Sequence, residues 1–302
     1  DANDDAAVVK IPDTDCFITA KMESHCSPCV PRPYDAAATG AGGAMRDVVA
    51  MGARPMFLLD FIGTRPLEEE VIVGPCGFAG KCTCGKCETI TSKDRINRML
   101  KGIADMCESM GVFVVGGGFS TSFSDIVPAT VVSVIGKQIT EKPLTKPAKS
   151  PGDKIIIVGE TGTDGNDTLY RAGLVSSIAC FKEERLTMDA TLAAFATGKI
   201  KACSDLGAAG IGAAVCESAR FGGLGAKIQL DKVPVKPGEI TPEEIFICET
   251  QARMILQVEP QHVDEVLEAI RSKNGSTAVI GEITDQDYNV FEYQGQIIAT
   301  IP

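Results

Sequence analysis

The chain has 302 residues, of which 44% are hydrophobic, and this is enough for two domains or for one large α/β unit with substantial cores. Its 40 acidic residues exceed the 29 basic ones and give a net charge of −11, which disfavours nucleic acid or an anionic membrane as the main partner. No apolar run is long enough to span a bilayer, and the acidic first residues differ from a basic signal-peptide start, so the sequence predicts a cytoplasmic protein.

Apolar and β-branched runs predict the elements of the first half. Residues 7–22 contain two such runs split by a turn at Pro12, which indicates a strand pair. Helical character extends over 36–51 and stops at Gly52. The run "MFLLDFI", residues 56–62, predicts a buried strand. Further predictions here are a helix over 95–111 and strands over 112–118 and 129–136.

A proline-rich stretch separates the two halves. Residues 140–153, "TEKPLTKPAKSPGD", carry three prolines and mixed charge, and they predict domains at 1–145 and 146–302. Strands and helices alternate in the second half as in the first, which indicates α/β or α+β domains. The predicted elements are strands over 154–158, 226–230, 253–258 and 277–283, helices over 184–197, 211–221 and 260–272, a helix start at 241–244 and a loop at 203–210.

One short segment places three chemically active side chains in a row. If "ITAKMESHC" is extended, the alternation of strand side chains puts Lys21, Glu23 and His25 on one face. A solvated strand face is the alternative reading of this cation, carboxylate and imidazole.

A glycine-rich segment follows about ten residues later. The stretch "AAATGAGGAMRDV" has Gly40, Gly42 and Gly43 just ahead of or within a helix start, followed by Arg46 and Asp47. Glycines at a helix N-terminus let backbone N–H groups approach an anion, which the helix dipole also favours. The chain has no G-x-x-x-x-G-K-[ST] stretch, so this is not a P-loop.

Aspartates recur at such turns. Carboxylates beside an anion site are what Mg²⁺ bound to a polyphosphate requires, because this ion takes one or two protein carboxylates plus phosphate oxygens. Each aspartate alone also fits a cap or turn residue. The candidates are Asp4, Asp5, Asp47, Asp164, Asp167 and Asp205.

Several blocks together resemble a known family. "DDAAVV", "KMESH", "PYDAAATGAGGAMRDVVAMGARP", "SDLGAAGIGAAVCESARFGGLGAKIQLDKVP" and "ETQARMIL" are similar to formylglycinamidine ribonucleotide synthase, the amidotransferase of purine biosynthesis, and to the wider aminoimidazole ribonucleotide synthetase superfamily. The resemblance implies an α/β N-terminal domain whose sheet forms a barrel with that of a partner unit, an α+β C-terminal domain, and ATP between them. Because that amidotransferase carries two tandem copies of this unit and this chain carries one, we expect a homodimer.

The resemblance also implies roles for individual residues. The expected chemistry is ATP-dependent phosphorylation of an amide or carboxylate-like oxygen, followed by displacement of phosphate by a nucleophile such as ammonia. Catalytic roles, including contact with phosphate, are expected for His25, Lys21 and Arg46. Nucleotide and magnesium binding is expected at Glu23, Asp47, Asp205, Gly40, Gly42, Gly43 and Asp5.

The chain departs from the family pattern near the expected substrate. "ESHCSP" has Ser27 in place of the second histidine of "ESHNHP" and introduces Cys26 and Cys29, and "GGGFSTS" has Gly118 where a glutamate is usual. These departures leave ATP binding intact and argue against a simple transfer of the purine substrate.

A cysteine-rich insertion is the third departure. "GPCGFAGKCTCGKC", residues 74–87, supplies four thiols with the spacing C-x5-C-x-C-x2-C. Four thiolates can bind an iron–sulfur cluster or tetrahedral Zn²⁺. The compact spacing favours the cluster, with zinc and redox-active or sulfur-carrying thiols as alternatives. The predicted ligands are Cys76, Cys82, Cys84 and Cys87.

Three functional hypotheses follow. The first is an ATP-dependent ligase or synthetase that uses a nitrogen or sulfur nucleophile, served by a separate glutaminase or a sulfur-donor protein. The second is a formylglycinamidine ribonucleotide synthase subunit of purine biosynthesis. The third is a non-catalytic scaffold or regulator that bears a metal cluster on the same fold.

Overall fold

The computed structural model describes residues 4–123, 127–163 and 178–302. Asp164 and Asp167, two of the predicted magnesium candidates, lie outside these residues. Within the described part of the chain, no helix is both long enough and apolar enough to cross a membrane.

The first half forms a sheet covered on one face by two helices. The sheet has five strands in the order β1-β2-β7-β3-β6, and β4 and β5 form a separate hairpin around the cysteine-rich insertion. The elements are β1 (Ala7–Lys10), β2 (Phe17–Ser24), α1 (Pro33–Ala50), β3 (Ala53–Gly63), β4 (Glu70–Val73), β5 (Glu88–Thr91), α2 (Ser92–Met110), β6 (Phe113–Ser120) and β7 (Ala129–Gln138).

Small residues allow α1 to lie at the centre of the domain. Its alanines, from Ala36 to Ala50, are almost completely buried, so the sheet and α2 approach it from opposite sides. The contact with α2 is especially close at Gly102, where an added Cβ would lie 2.2 Å from the carbonyl oxygen of Tyr34. Thr91 caps α2 by accepting a hydrogen bond from the backbone N–H of Asp94.

The opposite face of this sheet is open and apolar. The run 56–62 was expected to be buried, but in β3 only one side faces the helices, and this prediction is wrong for the other side. Leu58 and Ile62 are fully buried, whereas Phe57, Leu59 and Phe61 are each more than a third exposed. Exposed apolar residues of other strands in this sheet extend the same surface, which we call the open sheet face: Ile18, Met22, Phe113 and Val115.

The second half forms a larger mixed sheet. Its seven strands lie in the order β14-β13-β10-β12-β8-β11-β9. The elements are β8 (Lys154–Val158), α3 (Phe181–Ala196), β9 (Ile200–Asp205), α4 (Gly210–Gly222), β10 (Gly225–Gln229), α5 (Pro242–Ile247), β11 (Met254–Val258), α6 (Val263–Arg271), β12 (Thr277–Thr284), β13 (Asn289–Tyr293) and β14 (Gln296–Ile301).

The second half matches the predicted alternation with two differences. The predicted loop at 203–210 begins inside β9, because Cys203–Asp205 pair with β11. The last hairpin, β13 and β14, was not predicted, since its polar tip and half-exposed strands give only a weak apolar pattern. The helix start at Thr241 is confirmed by a capping box, in which Thr241 and Glu244 each bond the backbone N–H of the other.

Gly102→Ala tests the close packing of α1 on α2. An alanine normally stabilises a helix interior by about 1 kcal/mol relative to glycine. Here the added methyl group would overlap the backbone of α1, so we expect a net loss of about 1–3 kcal/mol in the free energy of unfolding, measured in urea.

Gly118→Ala is the control, because an added Cβ there meets no atom of the described residues within 4 Å. A Gly102→Ala protein at least as stable as the unmodified chain would contradict the packing described.

Candidate active site

Three carboxylates from distant parts of the sequence meet between the two domains. Asp5 precedes β1, Asp47 lies on α1, and Asp205 ends β9. Their carboxylate oxygens lie within 4.8 Å of one another. Asp5 Oδ2 is buried and has no hydrogen-bond partner among the described residues, so one acceptor of the cluster lacks a donor there. A divalent cation that prefers oxygen ligands fits this donor set.

Two lysines approach the cluster. Lys21 Nζ lies 3.0 Å from Asp47 Oδ2 and 3.3 Å from Glu23 Oε2, and it also donates to the backbone carbonyl of Asp5 at 3.0 Å. Lys146 Nζ lies 2.6 Å from Asp5 Oδ1. These ammonium groups compensate the repulsion among the carboxylates and leave a site of mixed charge.

Arg46 connects α1 to the second domain. Its side chain is only 4% exposed, and it forms a salt bridge with the fully buried Glu184 of α3. It also donates to Gln251 Oε1 at 2.7 Å, and its Nε lies 3.6 Å from Asp205 Oδ2. Arg46 therefore holds the two domains together beside the carboxylate cluster.

Burial controls the protonation of this cluster. It raises the pKa of all three carboxyl groups, and the charge of Asp205 adds to the rise at Asp5 and Asp47. The pKa of Asp5 reaches about 6 in spite of Lys146. Burial lowers the pKa of Lys21, but Asp47 and Glu23 outweigh this effect and the net pKa is raised.

His25 is held in one orientation at the end of β2. Its Nδ1 pairs with the backbone carbonyl oxygen of Ala36, and a carbonyl is only an acceptor, so Nδ1 carries the proton and Nε2 keeps a lone pair. Burial lowers the pKa of His25 below its ordinary value of 6.5, so the ring is neutral at pH 7.

The three glycines do not begin the helix. The sequence placed them at or ahead of a helix start, but α1 begins at Pro33, so Gly40, Gly42 and Gly43 lie in its interior, where the backbone N–H groups are engaged in the helix. Gly40 instead provides space, because an added Cβ would lie 2.6 Å from His25 Cβ. At Gly42 it would lie 3.0 Å from Glu184 Oε1. Their binding of nucleotide stays a prediction.

The structure brings most of the predicted site residues together. Asp5, Asp47 and Asp205 form the cluster, and Glu23 joins it only through Lys21. The sequence reasoning missed Lys146, which lies in the proline-rich connection and carries no recognisable pattern. It also missed Glu184 and Gln251, which are both partners of Arg46. Of these two, only Gln251 had a signal in the sequence, because it lies in the block "ETQARMIL".

The four cysteines of the insertion converge, while Cys26 and Cys29 stay apart from them. The sulfur atoms of Cys76, Cys82, Cys84 and Cys87 lie within 4.8 Å of one another on the connection from β4 to β5. Cys29 is buried, its thiol donates to the backbone carbonyl of His25 at 3.0 Å, and burial raises its pKa to about 12. Such a thiol is protonated at neutral pH and is not suited to nucleophilic sulfur transfer.

Family models match both halves of the chain. Residues 3–138 match the N-terminal domain of AIR synthase related protein, and residues 150–294 match its C-terminal domain. The chain belongs to the AIR synthase related protein family. This confirms the two-domain mixed α/β fold expected from the sequence, although the N-terminal sheet is not closed into a barrel within one copy.

Curated relatives are subunits of phosphoribosylformylglycinamidine synthase. The chain is 36% identical over 314 residues to phosphoribosylformylglycinamidine synthase subunit PurL of Methanosarcina mazei. The match covers 99% of this chain and 41% of that protein. PurL of Pyrococcus abyssi is 35% identical over 314 residues with the same coverage. The chain thus spans well under half the length of these relatives.

Solved structures agree with this relationship. Thermotoga maritima PurL complexed with FGAR has a TM-score of 0.82 at 29% identity and covers 98% of this chain and 46% of that one. The same protein complexed with ATP has a TM-score of 0.80 at 30% identity, with 98% and 45% coverage. The HypE–HypF complex, with a TM-score of 0.75 at 19% identity, shows likeness of fold only.

The raised pKa of Asp5 predicts a dependence of stability on pH in metal-free protein. The folded pKa of about 6 exceeds the ordinary value of 3.8, so the folded chain binds the extra proton, and stability falls as the pH rises through this window. Between pH 5 and pH 8 we expect a loss of about 1 kcal/mol from this group.

Asp5→Asn should remove the contribution of Asp5 to this loss of unfolding free energy. The measurement is urea unfolding at pH 5 and at pH 8, with EDTA present at both pH values. Asp287→Asn, on the exposed turn before β13, is the control and should keep the full slope. Equal slopes for the unmodified protein and Asp5→Asn would refute the assignment.

Proposed function

We propose that the chain is an ATP-dependent synthetase that phosphorylates an amide or carboxylate-like oxygen of a small acceptor, after which a nitrogen nucleophile displaces the phosphate. The single observation that carries this proposal is the buried cluster of Asp5, Asp47 and Asp205 with its unpartnered carboxylate oxygen. Membership of the AIR synthase related family and similarity to PurL in complex with ATP support it. The division into domains 1–145 and 146–302 is part of the proposal.

The cluster residues would hold Mg²⁺ with the nucleotide. Asp5, Asp47 and Asp205 supply the carboxylate ligands, and the ion, when bound, neutralises charge on the phosphates and on the transferring phosphoryl group. The Lys21 side chain is about a quarter exposed and its ammonium group lies beside Asp47, so it would stabilise phosphate charge next to the cluster. The roles proposed for Glu23 and Arg46 are narrower. Glu23 orients Lys21, and Arg46 keeps the two halves of the site in register.

His25 would act on the proton of the nucleophile. Its Nδ1 is occupied by the carbonyl of Ala36, so the lone pair on Nε2 can accept a proton from an attacking amine. Because burial lowers the pKa of His25, this lone pair is available at neutral pH. Gly40 permits the arrangement by leaving room for the imidazole beside α1.

Asp47→Asn tests nucleotide binding. It removes one negative charge from the cluster and leaves side-chain volume almost unchanged, so we expect the dissociation constant for ATP with Mg²⁺ to rise at least about tenfold, roughly 1.4 kcal/mol, in isothermal titration calorimetry. Asp287→Asn should bind like the unmodified chain. Binding of equal strength in Asp47→Asn would rule out this cluster as the nucleotide site.

Formylglycinamide ribonucleotide is a second, more specific candidate acceptor. The observation in its favour is the similarity to PurL, including the structure of Thermotoga maritima PurL in complex with FGAR. Ser27 and Gly118 argue for a different acceptor, because both stand at departures from the family pattern near its substrate.

The acceptor is tested by supplying formylglycinamide ribonucleotide, ATP, Mg²⁺ and ammonium chloride to the full chain. Formation of ADP together with the amidine product would establish the purine reaction. ATP binding without product would exclude this acceptor and leave the broader synthetase proposal standing. Loss of product in His25→Ala, with ATP binding retained, is expected if His25 handles the proton of ammonia.

The open sheet face supports a proposal about assembly. A contiguous surface of aromatic and aliphatic side chains on a soluble chain usually marks an interface. We propose that two copies pair through this face and close a barrel, as the family resemblance implies. A separate glutaminase supplying ammonia, or a sulfur-donor protein, is proposed as a further partner. A solved Thermotoga maritima assembly carries the name PurLQS and has a TM-score of 0.81 to this chain.

Leu59→Lys is expected to convert the dimer to a monomer. Leu59 lies on β3, the strand between β7 and β6, so a lysine there would bury a charge in the pairing surface. The control is Ile297→Lys, at an exposed apolar site on β14 in the other domain. Light scattering after size exclusion reports the mass. A monomeric unmodified chain would refute the pairing.

A further inference from the structure

The tip of the β4–β5 hairpin gathers four sulfur atoms. Cys84 Sγ lies 3.2 Å from Cys76 Sγ, 4.0 Å from Cys82 Sγ and 3.8 Å from Cys87 Sγ. Four thiols on one short connection, with their sulfur atoms within 4.8 Å of one another, constitute a preformed set of soft metal ligands. This site is separate from the carboxylate cluster and is not used in the proposed synthetase reaction.

The distances distinguish one ion from a cluster. Sulfur atoms placed tetrahedrally about 2.3 Å from a single Zn²⁺ are roughly 3.8 Å apart. Cys84 lies at 3.8 Å from Cys87 and 4.0 Å from Cys82, which is close to this value, and at a shorter 3.2 Å from Cys76. In a cubane cluster each thiolate binds a different iron, so the sulfur atoms stand farther apart than on a common ion. The iron–sulfur cluster favoured by the compact spacing therefore does not fit this arrangement.

The backbone around the cysteines supports the ligands. The N–H of Cys76 donates to Cys87 Sγ at 3.2 Å, and the N–H of Lys86 donates to Cys84 Sγ at 3.4 Å. Such bonds stabilise thiolate charge and fix the direction of the sulfur. Gly85, between Cys84 and Cys87, has φ of +67°, a left-handed conformation that glycine adopts readily and that lets this turn close.

The hairpin has little else to hold its tip. Its own apolar cluster consists of Val71, Val73 and Ile90, which lie on β4 and β5 below the loop. The tip contacts the main domain through Gly77, where an added Cβ would lie 2.6 Å from Val30 Cγ1. Val30 lies between His25 and the first residue of α1. The tip therefore packs against the segment that leads into the helix carrying Asp47.

We infer that Cys76, Cys82, Cys84 and Cys87 bind one structural Zn²⁺ ion, which orders residues 74–87 against the segment between His25 and α1. The ion takes the place of an apolar core in a loop too short to form one. All four tetrahedral positions are filled by protein sulfur, so the site is closed and does not activate water.

The first test is the composition of full-length protein purified without oxygen. About one zinc per chain with no acid-labile sulfide is expected, and Cys84→Ser should lose the metal. Cys16→Ser, which changes an exposed cysteine outside the loop, is the control and should keep it. Iron with sulfide, iron alone, or no metal in the unmodified protein would overturn the proposal.

Two further measurements use unmodified protein and test the proposal even if the Cys84→Ser variant folds poorly. Chelated unmodified protein titrated with Co²⁺ should develop the intense visible bands of a tetrahedral tetrathiolate, which end at one equivalent and disappear when Zn²⁺ is added. Trypsin should cleave at Lys81 and Lys86, both exposed, faster in chelated protein than in zinc-loaded protein. Octahedral cobalt spectra, or cleavage unaffected by zinc, would refute the assignment.

Discussion

Charge compensation at the carboxylate cluster is the constraint on which the two-domain arrangement depends. Asp5, Asp47 and Asp205 would repel one another in a buried setting, and lysine and arginine side chains from other elements offset this repulsion. Arg46 also pairs with Glu184 in the other domain. The same side chain therefore offsets the repulsion among the carboxylates and fixes the two domains relative to each other.

Local patterns predicted the elements well where burial follows sequence period. The strand pair around Pro12 and the helices α1 and α2 appear close to the expected positions, because alternation and helical spacing directly reflect which side chains are buried. The open sheet face could not be recognised in this way. A strand that is apolar on both sides reads as buried whether its second side meets a helix or another copy of the chain.

The site was predicted in part and for a mixture of reasons. Asp5, Asp47 and Asp205 were candidates because aspartates recur at turns, and the family resemblance supported these assignments. Their meeting depends on a fold that joins residues about 200 positions apart. Lys146 had no signal, because a lysine in a proline-rich connection looks like any solvated linker residue. The glycines at positions 40, 42 and 43 were wrongly placed at a helix start, because glycine is found where elements pack closely as well as at anion sites.

The wide separation of the cluster residues in the sequence has a consequence for biosynthesis. A ribosome that has released only the first 145 residues has produced Asp5, Asp47 and Lys21, but neither Asp205 nor the buried glutamate that pairs with Arg46. The emerging N-terminal domain would hold Arg46 without Glu184 until translation passes α3, and without Asp205 until it passes β9. A polypeptide that ends before the second domain therefore has an incomplete site, in which Arg46, Asp5 and Asp47 lack partners that only the later residues supply.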